Sequence, residues 1–363
     1  MLQRFSTLYV PTGLRSDRRP PQDGLRHLPM STNPFAPVFV SSDAASAVFD
    51  WSDAVRAIQS AYARPIPPKS TPPRTVAVAG KTWLRTLPAV PVGGRYYGAK
   101  VMGMAMGSAA PGVEYVIVLF DQETSRIAAF VDGNLVTGFR TAATSAAALD
   151  RLAPEGPARL AVLGSGLEAS MHTRAIASVR ELTEVVVYSP TPERRSAFAE
   201  AVTRDLGVSA RGIASAQEAV AGADLVLAAA RSRDEQPILF GDWLKPGATV
   251  VSIGSTIPEQ REIDVSVVGR SDLIVCDMLE EVLEETGDML AAQKAGIAFH
   301  DKSFSLADLM GGAIDDRLKD ARNRMYKSVG GGLQDIVVAE LILTKALEAG
   351  LATPLPIEFE TKR

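Results

Sequence analysis

Residues 160–170 read LAVLGSGLEAS, and this stretch is the strongest indication of fold class in the chain. The apolar run at 160–163 predicts a buried strand, and Gly164, Gly166 and Ala169 then form a G-x-G-x-x-A fingerprint at the start of a predicted helix. The first glycine permits a tight turn, the second leaves room for a pyrophosphate at the helix N-terminus, and the alanine lets helix and strand pack closely. The stretch therefore predicts a Rossmann domain that binds a dinucleotide; the alternative is a glycine-rich turn that binds nothing. The candidate cradle residues are Gly164, Ser165, Gly166, Leu167 and Glu168.

Further apolar runs follow at the spacing of a parallel sheet. RLAVLG, EVVVYS, SARGI, DLVLAAA, TVVSIG and LIVCD alternate with helical or turn-rich segments. This alternation is typical of a doubly wound parallel sheet in an α/β protein. We predict that residues 138–324 form this Rossmann domain.

The flanking regions predict a second, discontinuous α+β domain made of residues 36–137 and 325–363. An amphipathic helix is expected at 50–63, and two β-rich runs joined by DQETSR predict a hairpin. A helix capped by Thr137 and running to Leu152 should bridge the domains. A helix at 336–349, closed by Gly350, should return to the N-terminal β-rich region. Residues 1–35, rich in arginine and proline, predict a flexible N-terminal extension.

Composition excludes several classes of function. Lys and Arg total 38 against 42 Asp and Glu, so the net charge of -4 gives no field that would attract nucleic acid. No run approaches the roughly 20 apolar residues of a membrane-spanning helix. Cys276 is the one cysteine, it lies in an apolar run, and the three histidines are scattered. We therefore predict a cytoplasmic protein without disulfides or metal, with Cys276 buried in a strand.

The end of the second Rossmann strand bears on cofactor choice. An NAD site usually has a carboxylate there, which hydrogen-bonds the ribose hydroxyls. In this chain the strand EVVVYS ends at Ser189, followed by Thr191, Arg194 and Arg195. Hydroxyls and guanidinium groups suit a 2′-phosphate, so we predict NADPH as the preferred cofactor, with NAD possible. The alternative is that the arginines simply face solvent.

The whole pattern resembles the ornithine cyclodeaminase and mu-crystallin family, which also includes amino-acid dehydrogenases and imino-acid reductases. The resemblance covers roughly residues 50–350. It is carried by motifs in a fixed order: GAK at 98–100, LFDQET at 119–124, GFRTAATSA at 138–146, GSGLEA at 164–169, GADLV at 222–226, LKPGATVVSIGS at 244–255, PEQREID at 258–264 and KSVGGGLQD at 327–335.

The resemblance implies a set of active-site residues. Arg74, Lys100 and Arg140 match the three cations that hold the substrate α-carboxylate, and a desolvated carboxylate needs such pairing. Arg140 is expected in the first turn of its helix, where the backbone dipole favours an anion. Thr141 and Ser328 match positions that face the cofactor, although each could equally cap a local helix.

One departure from the cyclodeaminases concerns Thr256. Cyclodeaminases resemble this segment but carry an aspartate there, and Thr256 cannot take over its proton transfer. The lysine after the following proline is also replaced, by Gln260. The chain therefore looks more like the ketimine reductases.

We accordingly predict an NAD(P)H-dependent reductase or dehydrogenase of a small imino- or amino-acid, with hydride transfer at the carbon next to the carboxylate. Two alternatives remain open. One is a cyclodeaminase-like lyase with tightly bound NAD, and the other a non-catalytic dinucleotide-binding protein of the crystallin kind. The many strands of the N-terminal region would leave sheet edges exposed in a monomer, which predicts a homodimer.

Overall fold

The computed structural model describes residues 36–105, 112–230 and 234–362. The predicted N-terminal extension at 1–35 lies outside the described residues. The strands are β1 Val38–Val40, β2 Thr75–Ala79, β3 Thr82–Ala89, β4 Tyr96–Ala105, β5 Val113–Asp121, β6 Ile127–Asp132, β7 Ala158–Leu163, β8 Leu182–Tyr188, β9 Ala210–Ile213, β10 Leu225–Ala228, β11 Thr249–Ser252, β12 Leu273–Cys276, β13 Ser303–Ser305, β14 Arg324–Lys327 and β15 Thr353–Pro354.

The α-helices of the described residues connect and flank these strands. They are α1 Ser42–Val48, α2 Trp51–Tyr62, α3 Gly133–Leu152, α4 Leu167–Ala177, α5 Pro192–Leu206, α6 Ala216–Val220, α7 Val265–Arg270, α8 Leu279–Glu285, α9 Gly287–Lys294, α10 Leu306–Met310, α11 Asp315–Asp320 and α12 Gly332–Glu348. Within the described ranges, none of the helices is long and apolar enough to cross a membrane.

The larger sheet has the strand order β13-β12-β14-β11-β10-β7-β8-β9, and all its pairs are parallel. Alternate residues of β7 pack into different apolar clusters, with Leu160 and Val162 on one face and Ala161 and Leu163 on the other. A parallel sheet is buried on both faces when helices cover it on both sides. The predicted doubly wound α/β fold is confirmed. The order reverses between β7 and β10, where open α/β sheets bind ligands.

The smaller sheet has the order β15-β1-β6-β5-β4-β3-β2 and is largely antiparallel. The predicted hairpin is formed by β5 and β6. Helix α2 agrees with the predicted helix at 50–63, because the Asp50 carboxylate caps it by accepting from the Asp53 amide. The C-terminal helix α12 packs on β3 and β4, as predicted.

Three predicted boundaries differ from the structure. Helix α3 begins at Gly133 rather than Thr137, because the Asp132 carboxylate accepts from the Asn134 amide at 3.0 Å and caps the helix there. Helix α12 begins at Gly332, four residues before the predicted start. The expected division at 324/325 cuts β14, because β14 pairs with β11 and β12 and the larger sheet therefore extends to Lys327.

Candidate active site

The fingerprint forms an open cradle at the carboxyl end of β7. Gly164 has a φ of +123°, and a Cβ atom there would lie 2.7 Å from the Ala229 carbonyl oxygen, so the turn requires glycine. Gly166 is the N-cap of α4, no side chain caps the helix, and a Cβ at Gly166 would point into open space. The first amides of α4 are thus available to an anion. These residues fit the pyrophosphate of a dinucleotide.

The end of β8 lies beside this cradle. The Ser165 hydroxyl donates to the Ser189 hydroxyl at 2.9 Å, which links the two strand ends. Arg195 donates from Nη1 to the Ser189 carbonyl at 3.0 Å, so this guanidinium is already engaged, whereas Arg194 and Thr191 are exposed. The Thr191 side chain does not cap α5. No carboxylate lies between Ser189 and Thr191 in the chain.

A buried ionic cluster, here called the cleft cluster, consists of Lys100 on β4, Arg140 on α3 and Asp335 on α12. Lys100 Nζ donates to Asp335 Oδ1 at 2.9 Å, and Arg140 Nε lies 3.0 Å from the same oxygen. The Asp335 side chain is fully buried, and its Oδ2 atom makes no hydrogen bond within the described residues. Burial and the neighbouring Arg140 charge lower the pKa of Lys100 to about 8.

The glycine-rich turn after β14 shapes this cluster. Gly330 has a φ of +82°, and a Cβ there would lie 2.3 Å from Arg140 Nη1. Gly332 passes so close to the backbone of β3 that a Cβ would meet the Pro88 carbonyl oxygen at 2.5 Å. The turn therefore brings the start of α12, and with it Asp335, against the cations.

Two polar side chains tie the turn to the larger sheet. Asp277, directly after β12, accepts from the Ser328 hydroxyl at 2.7 Å and from the Gly330 amide at 2.8 Å. Gln334 donates from Nε2 to Asp277 at 2.9 Å and accepts from Arg140 Nη1 at 2.9 Å. The position of the Arg140 guanidinium thus depends on both sheets.

Glu168, in the first turn of α4, faces the cleft cluster from the nucleotide cradle. Burial raises the pKa of its carboxyl, and the charges of Arg140 and Lys100 act in the opposite direction. The neighbouring His172 is buried, its pKa is lowered by burial to about 4, and its Nε2 contacts the Ser145 hydroxyl at 3.1 Å. The His172–Ser145 contact joins α4 to α3, so the cradle at the start of α4 and Arg140 of the cleft cluster lie on two helices that pack together.

Comparison with known proteins identifies the family. The model of the ornithine cyclodeaminase/mu-crystallin family matches residues 46–350. The chain belongs to this family. The resemblance inferred from the motifs is confirmed.

The relatives of this chain within the family include named reductases. Ketimine reductase mu-crystallin of Mus musculus is 33% identical over 235 residues, which are 65% of this chain and 70% of that protein. Delta(1)-pyrroline-2-carboxylate reductase of Bacillus cereus is 28% identical over 269 residues, 73% of this chain and 82% of that protein. These relatives confirm the prediction of an NAD(P)-dependent oxidoreductase acting on C=N or CH–NH groups.

A solved structure extends the likeness to the fold. The structure of Thermococcus litoralis Delta(1)-pyrroline-2-carboxylate reductase in complex with NADH and L-proline matches with a TM-score of 0.78 and 25% sequence identity. It covers 88% of this chain and 100% of the other. A nicotinamide cofactor therefore suits the cradle described above.

Of the three cations that the family resemblance implies, the structure brings together Lys100 and Arg140. Arg74 has other partners: its Nε contacts Glu281 at 2.9 Å, its Nη2 contacts Glu285 at 3.5 Å, and it also donates to the Thr256 carbonyl at 2.9 Å. Both carboxylates come from α8. The charge of Arg74 is already balanced by Glu281 and Glu285. Only Lys100 and Arg140 of the three expected cations therefore share a carboxylate in the cleft cluster.

The expectation that Arg140 lies in the first turn of its helix is wrong. Because α3 begins at Gly133, Arg140 lies about two turns into the helix, where the terminal dipole contributes little. Thr141, next to it, donates its hydroxyl to the Thr137 carbonyl within the helix at 2.7 Å. The Ser328 hydroxyl is likewise engaged, with Asp277.

Thr256 lies in the loop after β11. Its hydroxyl donates to Gln260 Oε1 at 3.0 Å, and its amide donates to the same oxygen at 2.9 Å. The two positions at which this chain departs from the cyclodeaminase pattern therefore bond to each other. Neither of these two side chains is ionisable near neutral pH.

Sequence reasoning missed Asp335, Gln334 and Asp277. A signal for the first was present, since the segment DIVVA at 335–339 places a carboxylate directly before a run of apolar residues, and a buried carboxylate requires a cation. Asp277 directly follows a fully buried strand, at the carboxyl edge of the parallel sheet. Such positions are favoured for ligand sites.

Proposed function

We propose that this chain reduces the C=N bond of a small imino acid with NAD(P)H, delivering hydride to the carbon next to the carboxylate. The observation that carries the proposal is the charge of the cleft cluster. Lys100 and Arg140 are two buried cations, and Asp335 is the one carboxylate that pairs with both among the described residues. One anionic group of a substrate would balance the remaining positive charge.

The substrate carboxylate would bind at Arg140 and Lys100. Arg140 Nη1 is held by Gln334, while Gly330 leaves room beside the guanidinium. A guanidinium held in one orientation binds a planar carboxylate with two parallel hydrogen bonds. Such fixed binding orients the imine carbon relative to the cradle at α4, which hydride transfer requires.

Lys100 is our candidate for the proton donor. Reduction adds a hydride to carbon and a proton to nitrogen, and the nicotinamide cofactor supplies the hydride. With a pKa lowered to about 8, the Lys100 ammonium donates more readily near neutral pH than an ordinary lysine would. Asp335, at 2.9 Å, stabilises the ammonium before transfer.

We propose NADPH as the preferred cofactor. The strand end at Ser189 carries no carboxylate to repel a 2′-phosphate, and the nearby Arg194 is exposed. The Ser165–Ser189 hydrogen bond keeps two hydroxyls at the same edge. The nearby Arg195 holds the Ser189 carbonyl and is therefore a weaker candidate for the phosphate than Arg194.

We also propose a homodimer formed through the smaller sheet. Strand β2 lies at its edge and is exposed along its whole length. Val76 and Val78 present apolar side chains there, with Val78 68% exposed. An exposed edge strand with apolar side chains is a pairing surface.

The experiment that tests the proposed function follows NADPH and NADH oxidation with a panel of cyclic and linear imino acids. Ammonia release from L-ornithine is measured in parallel, because it would indicate the lyase. Oxidation of the cofactor with at least one imino acid, without ammonia release, supports the reductase. Cofactor binding without either reaction would indicate the non-catalytic alternative.

A further inference from the structure

Arg85 is a further cation on the wall of the cleft, outside the groups described above. In the smaller sheet, Arg85 of β3 pairs with Met102 of β4, which pairs with Tyr115 of β5. Two residues further along β3, and therefore on the same face, Leu87 pairs with Lys100. Directly paired residues point to the same face, so Arg85 and Lys100 share a face in adjacent rows. Diagonal neighbours of this kind lie about 7–8 Å apart, within reach of long side chains.

The electrostatics of the cleft agree with this placement. Burial lowers the pKa of Lys100 and the Arg85 charge adds to that effect, while the charges of Arg140 and Arg85 oppose the burial that raises the pKa of Tyr115. The Arg85 guanidinium therefore acts on the same space as the cleft cluster.

Arg85 differs from the other cations of the cleft in making no direct ion pair, although the charge of Glu281 acts on it from beyond ion-pair distance and that of Arg74 opposes this effect. Lys100 and Arg140 pair with Asp335, and Arg74 pairs with Glu281. Arg85 makes no ion pair or hydrogen bond within the described residues, and its Nε is buried. Its one specific contact there is the Trp83 ring, whose centroid lies 5.2 Å from the guanidinium carbon. A partly buried, unpaired guanidinium is costly unless a ligand pairs with it.

We propose that Arg85 binds a second carboxylate of the substrate, so that the chain acts on a short-chain dicarboxylic imino acid. This inference rests on the proposed function and names its substrate class. The first carboxylate binds at Lys100 and Arg140, and the second reaches Arg85 along the same sheet face. A substrate with one carboxylate would make no contact with Arg85 and would lack this contribution to its binding.

The test compares Arg85→Met with the control Arg95→Met. Arg95 lies over the Tyr96 ring at the same distance, 5.2 Å, but its side chain is 71% exposed and lies outside the cleft. Succinate and butyrate, which share a chain length and differ in one carboxylate, are titrated against each protein in the presence of oxidised cofactor. Reduction of the dicarboxylic imine formed from oxaloacetate and ammonia is compared with reduction of pyrroline-2-carboxylate.

The wild type and the Arg95 variant should bind succinate about 10- to 100-fold more tightly than butyrate, because a charge-assisted hydrogen bond to the second carboxylate increases affinity by about that factor. Arg85→Met should remove this preference and should lower kcat/KM for the dicarboxylic imine by a similar factor, with little change for pyrroline-2-carboxylate. If Arg85→Met does not fold, Arg85→Gln is used in the same comparison.

Equal affinity of the wild type for succinate and butyrate would overturn the inference. An equal loss of both substrates in the Arg85 variant would also overturn it, because Arg85 would then serve only to stack on Trp83. If no imino acid is reduced by the wild type, the proposed function fails. The succinate and butyrate titration still decides the role of Arg85 in that case.

Discussion

Two buried ionic clusters of this molecule differ in how completely their polar atoms are paired. The sheet-end cluster consists of Lys327 at the end of β14, Asp288 in α9, and Glu262. Lys327 Nζ donates to Asp288 Oδ2 at 2.9 Å and to the Ser252 hydroxyl at 3.1 Å. Asp288 Oδ1 accepts from the Glu262 amide at 2.9 Å and from Arg261 Nε at 3.2 Å.

Glu262 completes the sheet-end cluster. Its Oε2 accepts from the Ser252 hydroxyl and from the amides of Ile253 and Gly254, at 2.7, 3.0 and 2.9 Å, and its Oε1 accepts from the Ala230 amide at 3.1 Å. Each carboxylate oxygen of this cluster thus has a partner. The contacts tie together the loops that follow β10 and β11.

The cleft cluster is incomplete by comparison. Its two cations share one carboxylate, and Asp335 Oδ2 is buried without a hydrogen bond among the described residues. We infer that a buried ionic cluster whose carboxylate oxygens are all paired within the chain serves the fold, whereas one that leaves a buried carboxylate oxygen unpaired is arranged for a ligand. Lys100 and Lys327, both almost fully buried strand lysines, allow a direct comparison.

The largest effect is expected on stability. Lys327→Met should lower the free energy of unfolding by about 3 kcal/mol, because Asp288 Oδ2 and the buried Glu262 would both lose the ammonium, while Arg261 contacts Asp288 only at Oδ1. Lys100→Met should cost about 1 kcal/mol or less, because Asp335 keeps Arg140 as its cation. Urea unfolding followed by circular dichroism measures both. Equal losses in the two variants would remove the distinction between the clusters.

The next effect is on turnover. Lys100→Met and Arg140→Met should each reduce kcat/KM by the equivalent of about 2–5 kcal/mol, because the substrate carboxylate loses one of two buried cations. Dinucleotide affinity should remain close to that of the wild type. Lys345→Met is the control. Lys345 lies in the last turn of α12, pairs with Asp53 of α2, and has 27% of its side chain exposed. A Lys100 variant with normal kcat/KM would show that the cleft cluster does not bind substrate.

Cofactor choice should change by a smaller factor. Ser189→Asp places a carboxylate beside Ser165, where it would repel a 2′-phosphate and accept from the ribose hydroxyls of NADH. We expect the NADPH preference to fall by about 10- to 150-fold, corresponding to about 1.5–3 kcal/mol. The control is Ser209→Asp. Ser209 directly precedes β9 and so lies at the amino end of the parallel strands, away from the cradle, and this variant should leave the NADPH preference unchanged. A wild type that prefers NADH would contradict the assignment.

The smallest effect concerns pH. Lys100 must carry its proton to bind the substrate anion and to donate to nitrogen, and its pKa is lowered to about 8. We therefore expect kcat/KM to fall as pH rises through about 8, by about tenfold per further pH unit. Lys100→Arg retains its charge, so its residual activity should lack this limb. If kcat/KM of the Lys100→Arg variant still falls above pH about 8 in the same way, the titrating group is not Lys100.

The sequence allowed prediction of the nucleotide half of this account more fully than of the substrate half. The fingerprint at Gly164 and Gly166 and the strand at 160–163 are local, because a turn, a helix start and an apolar run each depend on neighbouring residues. The start of α3 was missed although its signal was also local, since Asp132 can cap a helix as readily as Thr137.

The cleft cluster depends on contacts between distant parts of the chain. Lys100 and Asp335 are 235 residues apart, and nothing in the spacing shows that β4 and α12 meet. The pairing of Arg74 with Glu281, 207 residues away, likewise arises from packing. A list of candidate cations could be drawn from motifs, whereas their partners, which decide the charge available to substrate, required the structure.

The most direct test of the central claim is to follow deuterium from the reduced cofactor. NAD(P)H deuterated at the transferable C4 position is incubated with the enzyme and the imino acid that it uses best, and the amino-acid product is examined by mass spectrometry. We predict one deuterium in the product, bound to the carbon next to the carboxylate. A product without deuterium, or deuterium that stays in the cofactor while ammonia is released from L-ornithine, would contradict it.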